Sequence, residues 1–188
     1  MLNLGNLRPY LQEASDQTVF RNVLEAVKET ITELHINDNA ITDEAFQSCI
    51  LKPLSEMPRL KHLNLAKNGQ LSKVSTVGVL ARMAERWQEE RENGAEGPLP
   101  LERLNMYGTY LADDGLAEML PLLASPAFGR FKSLSIVATK LTPACTGPFV
   151  QFIGEQFPDN RRLFIDLRLQ NIRKIDRKSE IDPVKEFR

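Results

Sequence analysis

Apolar and polar residues follow one another along this chain in a phrase that returns four times in full: apolar-x-x-apolar-x-apolar-x-x-Asn/Thr. It is spelled by Ile31, Leu34, Ile36 and Asn39, then by Leu60, Leu63, Leu65 and Asn68. Leu101, Leu104, Met106 and Thr109 spell the third copy, and Phe131, Leu134, Ile136 and Thr139 the fourth. The starts lie 29, 41 and 30 residues apart, and a fainter copy holding Leu163 and Ile165 is expected to start near 160. Positions 1, 4 and 6 point inward and position 5 outward, the period-2 spacing of a short strand. Position 9 carries a small hydrogen-bonding side chain, suited to backbone groups where the chain leaves the strand and turns. Stacked through the array, these residues predict a polar ladder inside an apolar wall.

Each phrase is followed by an apolar residue (Ile41, Leu71, Leu111, Leu141) and then by helix-start chemistry. Thr42-Asp43-Glu44, Ser72 to Ser75, Asp113-Asp114 and Thr142-Pro143 offer N-cap side chains or a proline in the first turn. One apolar face then runs through each helical stretch. Ala45, Cys49 and Leu54 form the first, and Leu80, Met83, Ala84 and Trp87 the second. Leu116, Met119, Leu120 and Leu123 form the third, and Phe149, Phe152, Ile153 and Phe157 the fourth. Pro58, Pro126 and Pro158 end three of the stretches. One strand and one helix per unit predict an α/β, right-handed strand–helix solenoid: a curved parallel sheet on the concave face and helices on the convex one.

Spacing, ladder residue and helix-start chemistry recur together over about residues 31 to 168. On these features the chain resembles a leucine-rich repeat protein of the ribonuclease-inhibitor-like class, whose long repeats carry a full helix. It departs at the second repeat, where Gly69-Gln70 adds a residue before Leu71, and in the fifth, where Arg168 holds the ladder position.

Residues 1–168 therefore read as one leucine-rich repeat domain, with repeats starting near 31, 60, 101, 131 and 160. Residues 1–30 lack the phrase, but Val19, Phe20, Val23, Leu24 and Val27 lie at helical spacing and predict the helix of an incomplete first repeat. Such a terminal unit shields the array from water. About 12 extra residues between repeats two and three fall in Arg86 to Pro98, read as a helix extension that Gly94 or Gly97 with Pro98 ends. Two readings of it stand: a solvated extension, or a knob whose Trp87 anchors a partner. The charged tail 169–188 alternates basic and acidic residues around Ile172, Ile175, Ile181 and Val184.

Composition narrows the function. A net charge of −1 argues against a general electrostatic hold on nucleic acid or on an anionic membrane. No apolar run approaches the roughly 20 residues that span a bilayer. With no visible secretory signal and only Cys49 and Cys145, too few for a disulfide scaffold, the cytosol of the source cell or of a host is expected. A monomer is expected as well.

The chain carries no phosphate-cradling loop, nucleophile elbow or paired-histidine zinc motif. His35 and His62 sit at different positions of neighbouring repeats, so a shared metal site is not expected. Asn37-Asp38-Asn39 lacks the Gly and Glu that a calcium loop needs. Catalytic residues, cofactors and metals are therefore all expected to be none.

What remains is the concave face, which the register populates with His35, Asn37, Asn64, Lys67, Arg103, Asn105, Tyr107, Phe164 and Asp166, to which Trp87 is added from the insertion. Aromatics and Arg are the residues that dominate protein interfaces. Asn64 and Asn105 share one column, where they are placed to read a peptide backbone. The expected function is a non-enzymatic module or scaffold that binds a protein partner through this face. A solvated face with no partner is the plainer reading. The resemblance also implies alternatives: a GTPase-activating or other regulatory accessory, a microbial effector inside a host cell, or the repeat segment of a longer protein.

Overall fold

The computed structural model describes residues 1–6, 13–156 and 164–166. The expected tail at 169–188 and the ladder position at Arg168 lie outside these residues, as does Phe157.

Each repeated phrase folds as its pattern requires. Three-residue strands β2 (Glu33–His35), β3 (His62–Asn64), β4 (Arg103–Asn105) and β5 (Ser133–Ser135) carry Leu34, Leu63, Leu104 and Leu134 at their centres. All four leucines are buried. With β1 (Leu2–Asn3) and β6 (Phe164–Asp166) they form an open parallel sheet in the order β1-β2-β3-β4-β5-β6. Positions 3, 4 and 5 pair with their counterparts in every neighbouring unit. Helices fill the returns: α1 (Ala14–Val27), α2 (Asp43–Ala45), α3 (Leu51–Ser55), α4 (Lys73–Glu92), α5 (Ala112–Ala124) and α6 (Thr146–Gln156). Their apolar faces and the inward strand residues make one continuous core. This is the strand–helix solenoid that the phrase predicts.

The ladder is present and buried: Asn39, Asn68, Thr109 and Thr139 are at most 3% exposed. Asn68 binds across units. Its Nδ2 donates to the carbonyls of Leu65 (2.9 Å) and Ile36 (3.0 Å), and its Oδ1 accepts from the N–H of Asn39 (3.0 Å) and Ile41 (3.2 Å). Asn39 Nδ2 reaches back to Leu4 O at 2.7 Å. Thr109 and Thr139 close their own turns, donating to Met106 O (2.9 Å) and Ile136 O (2.7 Å).

A second inter-unit fastener lies at the helix starts. Asp43 accepts from the N–H (3.0 Å) and Oγ (2.6 Å) of Ser72 and from Ser75 Oγ (2.6 Å). Asp113 accepts from the N–H (2.7 Å) and Oγ1 of Thr142. Ser72 and Thr142 are themselves N-caps, as is Thr42, each at a helix start that the sequence predicts. The third helix departs from expectation. Neither Asp113 nor Asp114 caps it; Asp113 is committed to the next unit and Asp114 bonds Gly115 N–H inside the first turn. The fourth starts as a 3-10 turn at Pro143–Cys145. In the first helical return, Pro53 lacks the N–H that would bond back one turn, and the chain passes through a π-helical turn at Phe46–Ile50 just before it.

Two corrections concern the ends. Residues 1–30 hold more than a helix: Leu2 and Asn3 pair with Leu34 and His35, adding a strand to the incomplete first unit. In α1, Phe20 and Leu24 face the core while Val19 and Val23 are exposed, so the apolar set splits between two faces. At the other end Ser133, Leu134 and Ser135 pair with Phe164, Ile165 and Asp166. Ile165 therefore holds position 4 rather than 6, and the fifth phrase starts at 162 rather than near 160. A slip of two residues keeps every side chain on its original face, so alternation alone does not separate the two registers.

Candidate functional site

Helices cover one side of the sheet, while positions 3 and 5 of every strand stand half-buried or exposed on the other. Position 3 forms the column Glu33, His62, Arg103, Ser133 and Phe164. Position 5 forms the column Asn3, His35, Asn64, Asn105, Ser135 and Asp166. The structure thus brings His35, Asn64, Arg103, Asn105, Phe164 and Asp166 together on one face.

The asparagines of this column serve the backbone first. Asn3 Oδ1 accepts from Gly5 N–H (3.0 Å), Asn64 Oδ1 from Ala66 N–H (3.1 Å) and Asn105 Oδ1 from Tyr107 N–H (3.0 Å). Each holds the chain two residues on, as Asx turns do. The carbonyl oxygens of Asn64 and Asn105 are therefore committed to their own turns. The sequence carries a sign of this device that the register of the four phrases leaves aside: Leu-Asn-apolar occurs at Leu2-Asn3-Leu4, Leu63-Asn64-Leu65 and Leu104-Asn105-Met106.

At the β2–β3 end the polar groups lie against one another, although His35 Nε2 is buried without a hydrogen-bond partner among the described residues. Glu33 lies 3.3 Å from His62 Nδ1 and 3.8 Å from His35 Nε2. Asn64 Nδ2 lies 3.4 Å from His35 Nδ1 and donates to Asn37 Oδ1 at 3.3 Å. Asn37 also lies close to Gly5, where an added Cβ would stand 2.9 Å from its Oδ1. Glu33, His35, Asn37, His62 and Asn64 make one mutually contacting cluster. Among the described residues no group of three or more His, Cys, Asp or Glu side chains is arranged to hold a metal ion.

The β4–β6 end is different. Arg103 is exposed and Tyr107 half-buried, and neither side chain has a hydrogen bond or ion pair among the described residues. Phe164 is 67% exposed. Lys67 stands at position 8, on the turn leaving β3, with φ of 59°. Left-handed backbone recurs at this position: Asn6 (65°), Asp38 (58°), Gly108 (70°) and Ala138 (55°) adopt it too. The turn that lifts the chain off the sheet demands it in five units, although only one carries glycine there.

Trp87 lies apart from this face. It packs partly against the core on α4, its Nε1 donates to Gly97 O at 2.7 Å, and Arg91 sits 5.0 Å above its ring. It fastens the insertion loop to the helix that precedes it. Gly94, with φ of 90°, follows the end of that helix, as its sequence suggests. On the helix side a cleft of about 200 Å³ between α5 and α6 is lined by Asp113, Leu116, Leu120, Cys145 and Phe149 among others. Cys145 and Cys49 are both buried and free. Burial, with Asp113 beside it, pushes the Cys145 thiol up to about 11, and burial raises that of Cys49. Neither is an activated nucleophile. No helix among the described residues is long and apolar enough to cross a membrane.

No protein-family model matches the chain, and no curated protein matches it. A solved structure does: the tropomodulin C-terminal domain of Caenorhabditis elegans, with a TM-score of 0.58 and 15% identity, over 81% of this chain and 82% of that one. At that identity the likeness concerns the fold alone, a leucine-rich-repeat-like array of parallel strands and helices.

Proposed function

We propose that the chain is a non-enzymatic protein-interaction module, a monomer in the cytoplasm, that holds a protein partner on the uncovered face of its sheet. Neither nucleic acid nor membrane is part of this reading, and no cofactor is needed. The observation that carries it is the contrast between the two sides of the sheet: one sealed by helices, the other presenting Arg103, Tyr107 and Phe164 to solvent. Aromatic and Arg side chains on a preformed surface are the anchors that protein interfaces favour. Repeats spaced by 29 and 30 residues, each with a helical return, support grouping with the ribonuclease-inhibitor-like class. Trp87 is a weaker candidate for contact, since its indole N–H is already bonded.

Quantitative affinity capture tests the reading. The wild-type chain and a Tyr107→Ala/Phe164→Ala double variant are immobilised at equal load, and retained proteins are compared by mass spectrometry. A partner depleted at least tenfold on the double variant is the expected result. Equal retention of every specific partner by both would refute the assignment of the face.

A further inference from the structure

The two ends of the uncovered face differ in what their polar atoms have left to give. At β2–β3 Glu33, His35, Asn37, His62 and Asn64 are engaged mainly with one another, with His35 Nε2 buried and unpaired among the described residues. At β4–β6 the balance is one-sided. Arg103 carries five N–H donors and no partner; the Asn105 amide nitrogen, the Tyr107 hydroxyl and the hydroxyls of Ser133 and Ser135 are likewise unspent among the described residues. Asp166 carries the one carboxylate on these strands, and that residue has an interaction within the molecule. Glu102, at the edge before β4, is held by Lys132 at 2.7 Å. This half is rich in unspent donors and positive at Arg103, with exposed Lys67 on the adjoining turn.

The apolar part is equally local. Phe164 stands two strands from Arg103 in the same column, with Ser133 between them. At about 4.8 Å per strand the two are roughly 10 Å apart, the width of one extended chain. We infer that the β4–β6 half of the uncovered face docks an acidic segment of a partner protein, with a carboxylate on Arg103 and an adjoining apolar side chain against Phe164. The planar guanidinium takes a carboxylate in a two-pronged fork, and the Asn105 amide and serine hydroxyls meet its backbone carbonyls. A nucleic acid fits poorly: Lys67 and Arg103 fall short of the roughly six to ten phosphate contacts that such binding draws on, and the chain's net charge is −1. The inference rests on the proposal that this face is the binding surface, and it specifies the partner's chemistry.

Fluorescence anisotropy with labelled probes tests it. The probes are an alternating Glu-Leu peptide, a Lys-Leu and a Glu-Ser peptide of equal length, and a single-stranded oligonucleotide. The Glu-Leu peptide is expected to bind tightest, more weakly as salt rises. Arg103→Glu is expected to weaken it about tenfold or more, the scale of one charge-assisted pair reversed. Phe164→Ser weakens Glu-Leu and leaves Glu-Ser unchanged. Arg82→Glu, on the helix side, changes none. No binding of Glu-Leu, equal binding of Lys-Leu, tighter binding of the oligonucleotide, or indifference to Arg103→Glu each overturns the inference. Should the capture experiment show the face to be the binding surface while the peptides fail, only the acidic segment is lost. Should the double variant retain every specific partner as well as the wild type does, the face itself is wrong.

Discussion

Replacing Asn68 by alanine tests how the units are held together. The side chain is fully buried and makes four hydrogen bonds, three of which join two successive repeats. Its loss leaves the N–H groups of Asn39 and Ile41 without their side-chain acceptor and takes a donor from the carbonyls of Leu65 and Ile36. Ile36 O keeps the Asn39 amide at 3.2 Å. Each orphaned buried group costs about 1–3 kcal/mol. Two N–H groups and one carbonyl, with some relaxation, therefore cost about 3–5 kcal/mol. Against a typical total of about 5–15 kcal/mol this is a large fraction, a fall in Tm of roughly 6–20 °C for a chain of this size. Thr109→Val is the internal comparison. It removes one bond, to Met106 O, and should cost about 0.5–1.5 kcal/mol. Asn68→Thr falls between them, because a hydroxyl can still close its own turn as Thr109 does. Urea unfolding followed by circular dichroism measures all three, with the slope expected to stay unchanged. An Asn68→Ala loss below about 1.5 kcal/mol, or one equal to that of Thr109→Val, would refute the idea that the asparagine rung couples units.

Other expectations follow from the turns, the ion pairs and the thiols. Ala138→Gly should stabilise by up to about 1 kcal/mol, since glycine takes the 55° φ freely, whereas Gly108→Ala should cost about 1 kcal/mol; a lower melting temperature for Ala138→Gly or a higher one for Gly108→Ala would contradict the position-8 reading. The Lys28 ammonium, 2.7 Å from Glu56, holds the Glu56 carboxyl below its ordinary 4.5. Its contribution to stability is thus complete above pH 4.5 and lost as pH falls through the lower folded value, so Glu56→Gln should flatten the acid limb of a urea-midpoint titration. Cys49 and Cys145 should resist a chromogenic thiol reagent at neutral pH in the native chain and react at once in denaturant; fast native labelling would contradict their burial.

Much of the fold is written in positions that face inward. Leu34, Leu63, Leu104 and Leu134 are apolar because they must be buried, and their period locates each strand. Asn39, Asn68, Thr109 and Thr139 are legible because a turn inside an apolar wall tolerates few residue types. Other features leave fainter marks. β1 is two residues long, and Leu2-Asn3-Leu4 is too short for periodicity to stand out. The left-handed turn at position 8 carries Asn, Asp, Lys, Gly and Ala in turn, so backbone geometry recurs there without a recurring letter. The Asp43–Ser72 and Asp113–Thr142 fasteners span 29 residues each, a spacing hidden because each aspartate also sits beside a helix start. On the uncovered face the residue types were visible, but their engagement was not. Only the paired geometry separates the mutually engaged Glu33–His62 cluster from the unspent groups around Arg103.

Site-specific photo-crosslinking addresses the uncovered face most directly. A photoreactive phenylalanine analogue is placed singly at Ser133 or Tyr107 on that face, and at Arg82 or Glu118 on the helix side. The account expects one partner to be crosslinked from Ser133 and Tyr107, and that partner to be absent from the products of the other two. Crosslinks to it from Arg82 or Glu118 alone would contradict the account.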